Sequence, residues 1–205
     1  MLAAVCTLAC AHSAYAGDSL ADLIQAGNRG AALAQIAAGA DVNAAQGDGT
    51  TPLIWAVYKV DPELVATLLK HGAKANVVNK YGSTPLAEAV KIADAGLVKT
   101  LLDAGADVES PNADGQTALM LAARSGALEV ARELVAHGAN VNAKETWRGQ
   151  TALMWAADGN YAEIAQLLIS KGADVNARNR EGKTPLAGAE GSPRVQEILR
   201  RHGAK

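Results

Sequence analysis

The fold is decided by the stretch Thr151-Ala152-Leu153-Met154-Trp155-Ala156-Ala157, because stretches of the same form recur along the chain. Each starts with Thr, continues with Pro or Ala, and has Leu in third place. The five starting residues are Thr51, Thr84, Thr117, Thr151 and Thr184, at intervals of 33, 33, 34 and 33 residues. A fixed period of this length is typical of solenoid proteins, whose repeats bury their apolar faces by stacking on one another.

The residues within one period predict two helices and a turn. The Thr can cap the first helix by accepting a hydrogen bond from a free backbone N–H, and Pro suits the first helical position. Apolar spacing such as Val130, Leu134 and Val135 indicates a second helix. A Gly-Ala pair 21 residues after the Thr, as at Gly172-Ala173, ends that helix in the left-handed conformation, and a polar turn follows.

Together, the Thr-Pro-Leu start, the segment Gly172-Ala173-Asp174-Val175-Asn176 and the 33-residue period resemble the ankyrin repeat family over residues 18–205. The resemblance implies an all-α ankyrin-repeat solenoid, with finger-like turns between its helix pairs. Full repeats are expected at 48–80, 81–113, 114–147 and 148–180. A degenerate capping repeat at 17–47 precedes them, and a shortened, charged capping repeat at 181–205 follows.

One position departs from the family signature T-P-L-H-x-A in every repeat. The resemblance implies a His there that links backbone groups within and between repeats. The residues found in its place are Ile54, Ala87, Met120, Met154 and Ala187. We therefore expect the packing of Ala and Met side chains to take over part of the stacking.

The amino terminus has the pattern of a secretory signal peptide. Residues 1–16 carry no charge, include an apolar stretch, and end in Ala14-Tyr15-Ala16, the small-residue pattern that signal peptidase accepts. Cleavage after Ala16 would remove Cys6 and Cys10, which excludes a disulfide or a thiol nucleophile in the mature chain. We expect a periplasmic protein, with lipid anchoring or secretion as alternatives. No Lys or Arg precedes the apolar stretch. The alternative that this segment is an apolar helix packed on the domain therefore stays open.

Composition and charge exclude several classes of function. The chain has 205 residues, 45 of them Ala, no Phe, and a formal net charge of -2. An Ala-rich core suits closely packed helices. The balanced charge excludes a strongly basic nucleic-acid-binding protein and gives no support to a polybasic membrane-surface protein. After the first stretch no run of 18 apolar residues occurs, so we expect no membrane insertion of the mature chain.

The sequence holds no arrangement of residues that predicts catalysis. Gly182-Lys183-Thr184 is similar to the end of a phosphate-binding loop, but Ala177 stands where that motif needs Gly. His71, His137 and His202 each precede a Gly-Ala pair, at the ends of different second helices, too far apart to share a metal ion. We therefore predict no catalytic, cofactor-binding or metal-binding residues, and a protein that is not an enzyme.

Candidate binding residues occupy the positions that differ between repeats. On the first helix these are the fourth, seventh and eighth residues after the Thr, which share one face. The resemblance implies that this face lines a concave groove beside the finger tips, and the 34-residue interval adds one residue to the finger at 147–148. Trp, Tyr and Arg are frequent interface anchors. The predicted partner-binding residues are Trp55, Tyr58, Lys59, Tyr81, Arg124, Trp147, Arg148, Trp155 and Asp158.

For the tryptophans, a structural role is the alternative, in which Trp55 and Trp155 cover Ala-lined helices. The leading hypothesis is an exported, monomeric, non-enzymatic protein that binds another protein and needs no cofactor. The resemblance to exported bacterial ankyrin proteins implies peroxide defence or toxin neutralisation, between which the residues do not choose. Two further functions stay open: a small-molecule or cofactor carrier whose groove is lined by Trp55, Tyr58 and Trp155, and a secreted effector.

Overall fold

The computed structural model describes residues 18–205, so the predicted signal peptide and its cleavage site at Ala16 lie outside the described residues. Within 18–205 the chain forms twelve helices and no strand. The helices are α1 (Leu20–Gln25), α2 (Arg29–Ala37), α3 (Pro52–Tyr58), α4 (Pro62–Lys70), α5 (Pro85–Ile92), α6 (Ala95–Asp103), α7 (Ala118–Ser125), α8 (Leu128–Ala136), α9 (Ala152–Asp158), α10 (Ala162–Ser170), α11 (Pro185–Gly188) and α12 (Pro193–Arg201). A search of this range found no helix with the length and apolar character to span a membrane.

The described helices fall into two compact units, one reaching to Pro85 and the other starting at Leu86. In the first unit, α1 and α2 form one packed pair, α3 and α4 form the next, and the two pairs stack. In the second unit, the first helices α7, α9 and α11 contact one another in order, and so do the second helices α6, α8, α10 and α12. Each unit is therefore a stack of helix pairs, which confirms the all-α fold class.

The interfaces between these helices are built from Leu and Ala. Leu53 in the first unit and Leu134 in the second are almost completely buried. Burial of such a side chain contributes about 1.5–3 kcal/mol. Ala56, Ala122 and Ala156 lie in the middle of first helices and have no exposed surface. Their small side chains let neighbouring helices approach closely.

The predicted helix caps are confirmed in three repeats. Thr51, Thr117 and Thr151 each precede a first helix and accept a hydrogen bond from the backbone N–H three residues later, at 3.4 Å. The prediction is wrong for Thr184, whose side chain makes no capping bond. There the N–H of Ala187 bonds to the main-chain carbonyl of Thr184 instead, at 3.0 Å. This tighter turn belongs to α11, which has only four residues.

Apolar side chains fill the position of the absent signature His. Ile54, Ala87, Met120 and Met154 are all buried. Ala187, in the short helix α11, is exposed. The expected packing of apolar side chains therefore holds in four repeats and fails in the last one.

Asn side chains add polar links between repeats. Asn142 donates from Nδ2 to the carbonyl of Gly172 at 3.0 Å and accepts from the N–H of Asp174 at 2.8 Å. Stacking thus depends on these links as well as on apolar packing. The same pair of bonds joins Asn43 to Gly72 and Lys74, and Asn176 to Gly203 and Lys205.

Asn142→Ala is expected to lower the free energy of unfolding by about 1–2 kcal/mol, because two hydrogen bonds of roughly 1 kcal/mol each are lost. Urea denaturation followed by circular dichroism measures the change. At the equivalent position, Glu109 only accepts from the N–H of Asn140, at 2.8 Å, since a carboxylate has no hydrogen to donate. Glu109→Asn should supply the second bond and raise stability by up to about 1 kcal/mol. Unchanged stability in both variants would contradict a stabilising role for these links.

The three histidines lie at the ends of second helices, as the sequence predicts: His71, His137 and His202 each follow the last residue of such a helix. Nδ1 of His71, His137 and His202 lies 2.8 Å from the carbonyl oxygen four residues earlier, in the last turn of each helix. Nε2 of His137 also lies 3.2 Å from Asp103 on α6. In the range 18–205, no group of three His, Cys, Asp or Glu side chains is placed to hold a metal ion.

A residue in the left-handed conformation joins the two helices of each pair. In the second unit, Gly126 has φ of 74° and lies against the ring of Tyr161. The equivalent residue of the first unit is Val60, with φ of 56°. This conformation is unfavourable for a β-branched side chain.

Candidate partner-binding site

One of the predicted binding residues of the first unit, Trp55, is half-buried. Trp55 on α3 meets the ring of Tyr58 edge-on, with 5.6 Å between ring centroids. Its indole Nε1–H donates to Oε1 of Gln46 at 2.7 Å, and Gln46 donates in turn to Asp22 at 2.6 Å. Trp55 therefore holds the preceding turn against α3 and α1.

The other predicted residues of the first unit lie in solvent. Tyr58 and Lys59 are exposed at the end of α3. Tyr81 is 72% exposed. It follows Asn79 in a finger turn, where its backbone N–H donates to Asn79 Oδ1 at 3.0 Å.

Four finger turns are each closed by the side chain of their first residue. Asn79, Asn112 and Asn179 each accept through Oδ1 from the N–H groups two and four residues later, at 2.9–3.0 Å. Glu145 takes this place in the turn at 145–150, where it accepts from a residue five positions later. The longer side chain matches a turn with one more residue. The extra residue predicted at 147–148 is thereby confirmed.

Glu145 is a buried carboxylate that fixes the longer turn. It is 5% exposed and accepts from the backbone N–H groups of Trp147, Arg148 (2.6 Å) and Gln150 (3.0 Å). Burial alone would raise its pKa, but the hydrogen bonds from the turn outweigh burial, so the pKa lies below its ordinary value. The charged group holds the turn in one conformation.

Trp147 is carried at the tip of this turn. With 80% of its surface exposed, it is the most exposed large apolar side chain within residues 18–205. Arg148 is exposed beside it. Trp147 therefore lies in solvent on the finger that the 34-residue interval lengthens.

Helices α7 and α9 bring Arg124 and Trp155 together. The guanidinium carbon of Arg124 lies 5.6 Å from the ring centroid of Trp155, a distance at which a cation attracts an aromatic face. Asp158, at the end of α9, is exposed as a residue, but its carboxyl group packs against Gly188 of α11. Burial of that group raises the pKa of Asp158, and the charge of Lys183 opposes the rise.

A pocket of about 320 Å³ opens between the turn at 145–150 and α9. Trp147, Arg148, Gln150 and Trp155 line it, together with Asp114. Two buried atoms of its lining residues, Trp155 Nε1 and Gln150 Oε1, have no hydrogen-bond partner. Gln150 and Glu145 are not among the residues predicted for the site, although the 34-residue interval pointed to this turn.

Comparison with known proteins supports one assignment. A family model described as ankyrin repeats (3 copies) matches residues 20–112, 91–179 and 145–205. No curated protein matches the chain. Ankyrin repeats are modules for protein–protein interaction, and the family is typically non-enzymatic. With matches that together reach from residue 20 to 205, the chain belongs to the ankyrin repeat family.

Proposed function

We propose that the chain binds a partner protein through its finger turns and the adjoining faces of its first helices, without catalysing a reaction. The observation that carries this proposal is the exposed Trp147 on a turn fixed by the buried Glu145. A fixed turn presents the side chain without the entropy loss that ordering a mobile loop on binding would cost. Trp is also among the residue types that dominate interface energies.

Other exposed residues extend the proposed surface within each unit. In the first unit these are Tyr58, Lys59 and Tyr81, which combine two aromatic rings with a positive charge. In the second unit, Arg124 and Arg148 lie near the tryptophans and supply donors for carboxylate or carbonyl groups of a partner. Trp, Tyr and Arg are the residue types most enriched among interface hot spots.

Affinity capture from an extract of the source organism tests this proposal. The baits are the full chain, Trp147→Ala, and Arg132→Ala, a control at a half-exposed residue of α8. We expect a protein that the chain and Arg132→Ala capture equally and that Trp147→Ala captures at least tenfold less, as for a hot-spot residue. Equal capture by all three baits would contradict the proposal.

We also propose that the chain is exported and acts in the periplasm. Support comes from the uncharged stretch at 1–16 that ends in Ala14-Tyr15-Ala16. Fractionation with mass spectrometry of the amino terminus should find a periplasmic chain that starts at Gly17. An uncleaved cytoplasmic chain would contradict export, and recovery from the medium would favour the secreted effector. The identity of the captured partner would separate peroxide defence from toxin neutralisation.

A further inference from the structure

A cleft of about 390 Å³ lies between two successive finger turns of the second unit, the turns at 145–150 and 179–183. The backbone N–H of Arg180 donates to the carbonyl of Arg148 at 2.8 Å and joins the two turns. The stem of Arg180 also runs beside Gly149, since a Cβ added to that glycine would lie 3.4 Å from the Cγ of Arg180. These contacts hold the two sides of the cleft together.

The lining of this cleft is positively charged. It contains three cations and, among the described residues, a single carboxylate, that of Glu145, so its net charge is +2. The Glu145 carboxylate already accepts hydrogen bonds from the backbone of its own turn. The three cations are Lys144, Arg178 and Arg180. None of them takes part in an ion pair within residues 18–205.

These cations keep N–H groups for a ligand. Lys144 Nζ donates to the carbonyl of Arg178 at 2.8 Å, and one terminal nitrogen of Arg178 donates to the carbonyl of Gly182 at 2.9 Å. An ammonium has three N–H groups and a guanidinium has five, so both side chains keep further donors. The side chain of Arg180 is exposed and forms no hydrogen bond within the described part of the chain.

The repeat itself does not require positive charge at these positions. In each finger, position 144 or 178 corresponds to the residue before the one that closes the turn. The earlier fingers have an uncharged residue there, namely Ala45, Val78 and Pro111. At the place of Arg180, the third finger has Ala113. The turns therefore form without these cations, which leaves binding as the role that their charge favours.

The charges favour carboxylates over a nucleic-acid backbone. A guanidinium binds a carboxylate through two parallel N–H groups. The cations are limited to one cleft, and exposed carboxylates belong to the same fingers: Asp114 in the preceding turn and Glu181 directly after Arg180. A nucleic acid carries a phosphate at every nucleotide and would meet these carboxylates on leaving the cleft. A short run of acidic side chains fits within it.

We propose that this cleft binds a short acidic segment of the partner protein. Side-chain carboxylates of the segment pair with the guanidinium groups of Arg178 and Arg180 and with the ammonium group of Lys144. The turn at 145–150 forms one side of the cleft and carries Trp147, so the same turn contributes an aromatic anchor and a charged site. The inference rests on the proposed function, since it names the part of the partner that this surface recognises.

The test titrates the ¹⁵N-labelled full chain with N-acetyl-hexaglutamate amide and follows the backbone amide signals by nuclear magnetic resonance. We expect saturable shifts in the turns at 145–150 and 179–183. Binding should weaken as the salt concentration rises, because the paired charges are exposed. Hexaglutamine has the same length without the charge and should cause no saturable shift. A thymidine hexanucleotide, which offers phosphates instead of carboxylates, should bind more weakly than hexaglutamate.

The test variant combines Arg178→Ala with Arg180→Ala. Sister fingers have Ala at the equivalent positions 45 and 113, so the variant is expected to fold. The control combines Lys171→Ala with Arg200→Ala, which removes the same charge at exposed residues outside the lining of the cleft. We expect hexaglutamate to bind about fivefold more weakly to the test variant, the effect of two lost surface ion pairs, and unchanged to the control.

Three results would overturn the inference: no saturable shift in the two turns, binding of hexaglutamine or the hexanucleotide as tight as that of hexaglutamate, or equal hexaglutamate binding by the two double variants. Dispersed amide signals report that both variants are folded.

This test and the capture experiment fail separately. Absence of hexaglutamate binding, with a partner still captured through Trp147, would overturn the inference and leave the proposed function standing. Hexaglutamate binding that depends on Arg178 and Arg180, with equal capture by all three baits, would overturn the proposed function as stated and leave a site for acidic peptides.

Discussion

Glu145→Ala is expected to lower the free energy of unfolding by about 3 kcal/mol, because hydrogen bonds to a charged acceptor contribute roughly 1.5–3 kcal/mol each. Three backbone N–H groups lose their acceptor, and only some of them regain water when the turn opens. Urea denaturation followed by circular dichroism measures the loss. The emission of Trp147 should also report greater mobility of the turn.

The dependence of this loss on pH provides its control. The pKa of Glu145 is lower in the folded chain than its ordinary value, so the carboxylate stabilises the fold above that ordinary value. Its contribution is lost as the pH falls through the folded pKa. The difference between the wild type and Glu145→Ala should therefore be full at neutral pH and shrink below about pH 4. A loss that is the same at neutral and acid pH would contradict a role for the charge.

Gly126→Ala is expected to lower the free energy of unfolding by about 2–4 kcal/mol. The added methyl group strains the left-handed backbone and also overpacks the contact with Tyr161. Gly126 has φ of 74°, and an added Cβ would lie 2.8 Å from Cζ of Tyr161. The thermal midpoint and the urea midpoint should both fall.

Two controls separate the contributions at this position. In a Tyr161→Ala background the ring is absent, so Gly126→Ala should cost only about 1 kcal/mol, the strain of the left-handed backbone. An equal cost in both backgrounds would show that the ring of Tyr161 is not the obstacle. In the first unit, Val60→Gly should raise stability by up to about 1 kcal/mol, because the strain of a β-branched residue is relieved there.

Much of the fold follows from local sequence. The Thr starts and the Gly-Ala ends predict helix pairs of the kind observed, and the buried Met120 and Met154 follow from their place in the period. The missing cap of Thr184 does not follow from Thr184-Pro185-Leu186, which matches the sister repeats, although Gly188 is a poor helix former at the place where α11 ends. The hydrogen bond from Asn142 to Gly172 cannot be predicted from local sequence either, since it joins residues 30 positions apart.

The candidate site also has features that local sequence predicts and features that it does not. The exposure of Trp147 follows from a polar finger with one extra residue. The different hydrogen bonding of Trp55 and Trp155 does not, because both have the same place in the repeat. The difference depends on whether the preceding turn leaves an acceptor free, as Gln46 does and Glu145 does not.

Photo-crosslinking in cells of the source organism tests most directly whether the turn at 145–150 contacts a partner protein. A benzophenone amino acid replaces Trp147 in one variant, which keeps an aromatic group at the tip, and replaces Arg132 of α8 in the control. We predict a protein adduct from position 147 and none from position 132. Adducts of equal yield from both positions, or an adduct only from position 132, would contradict the account.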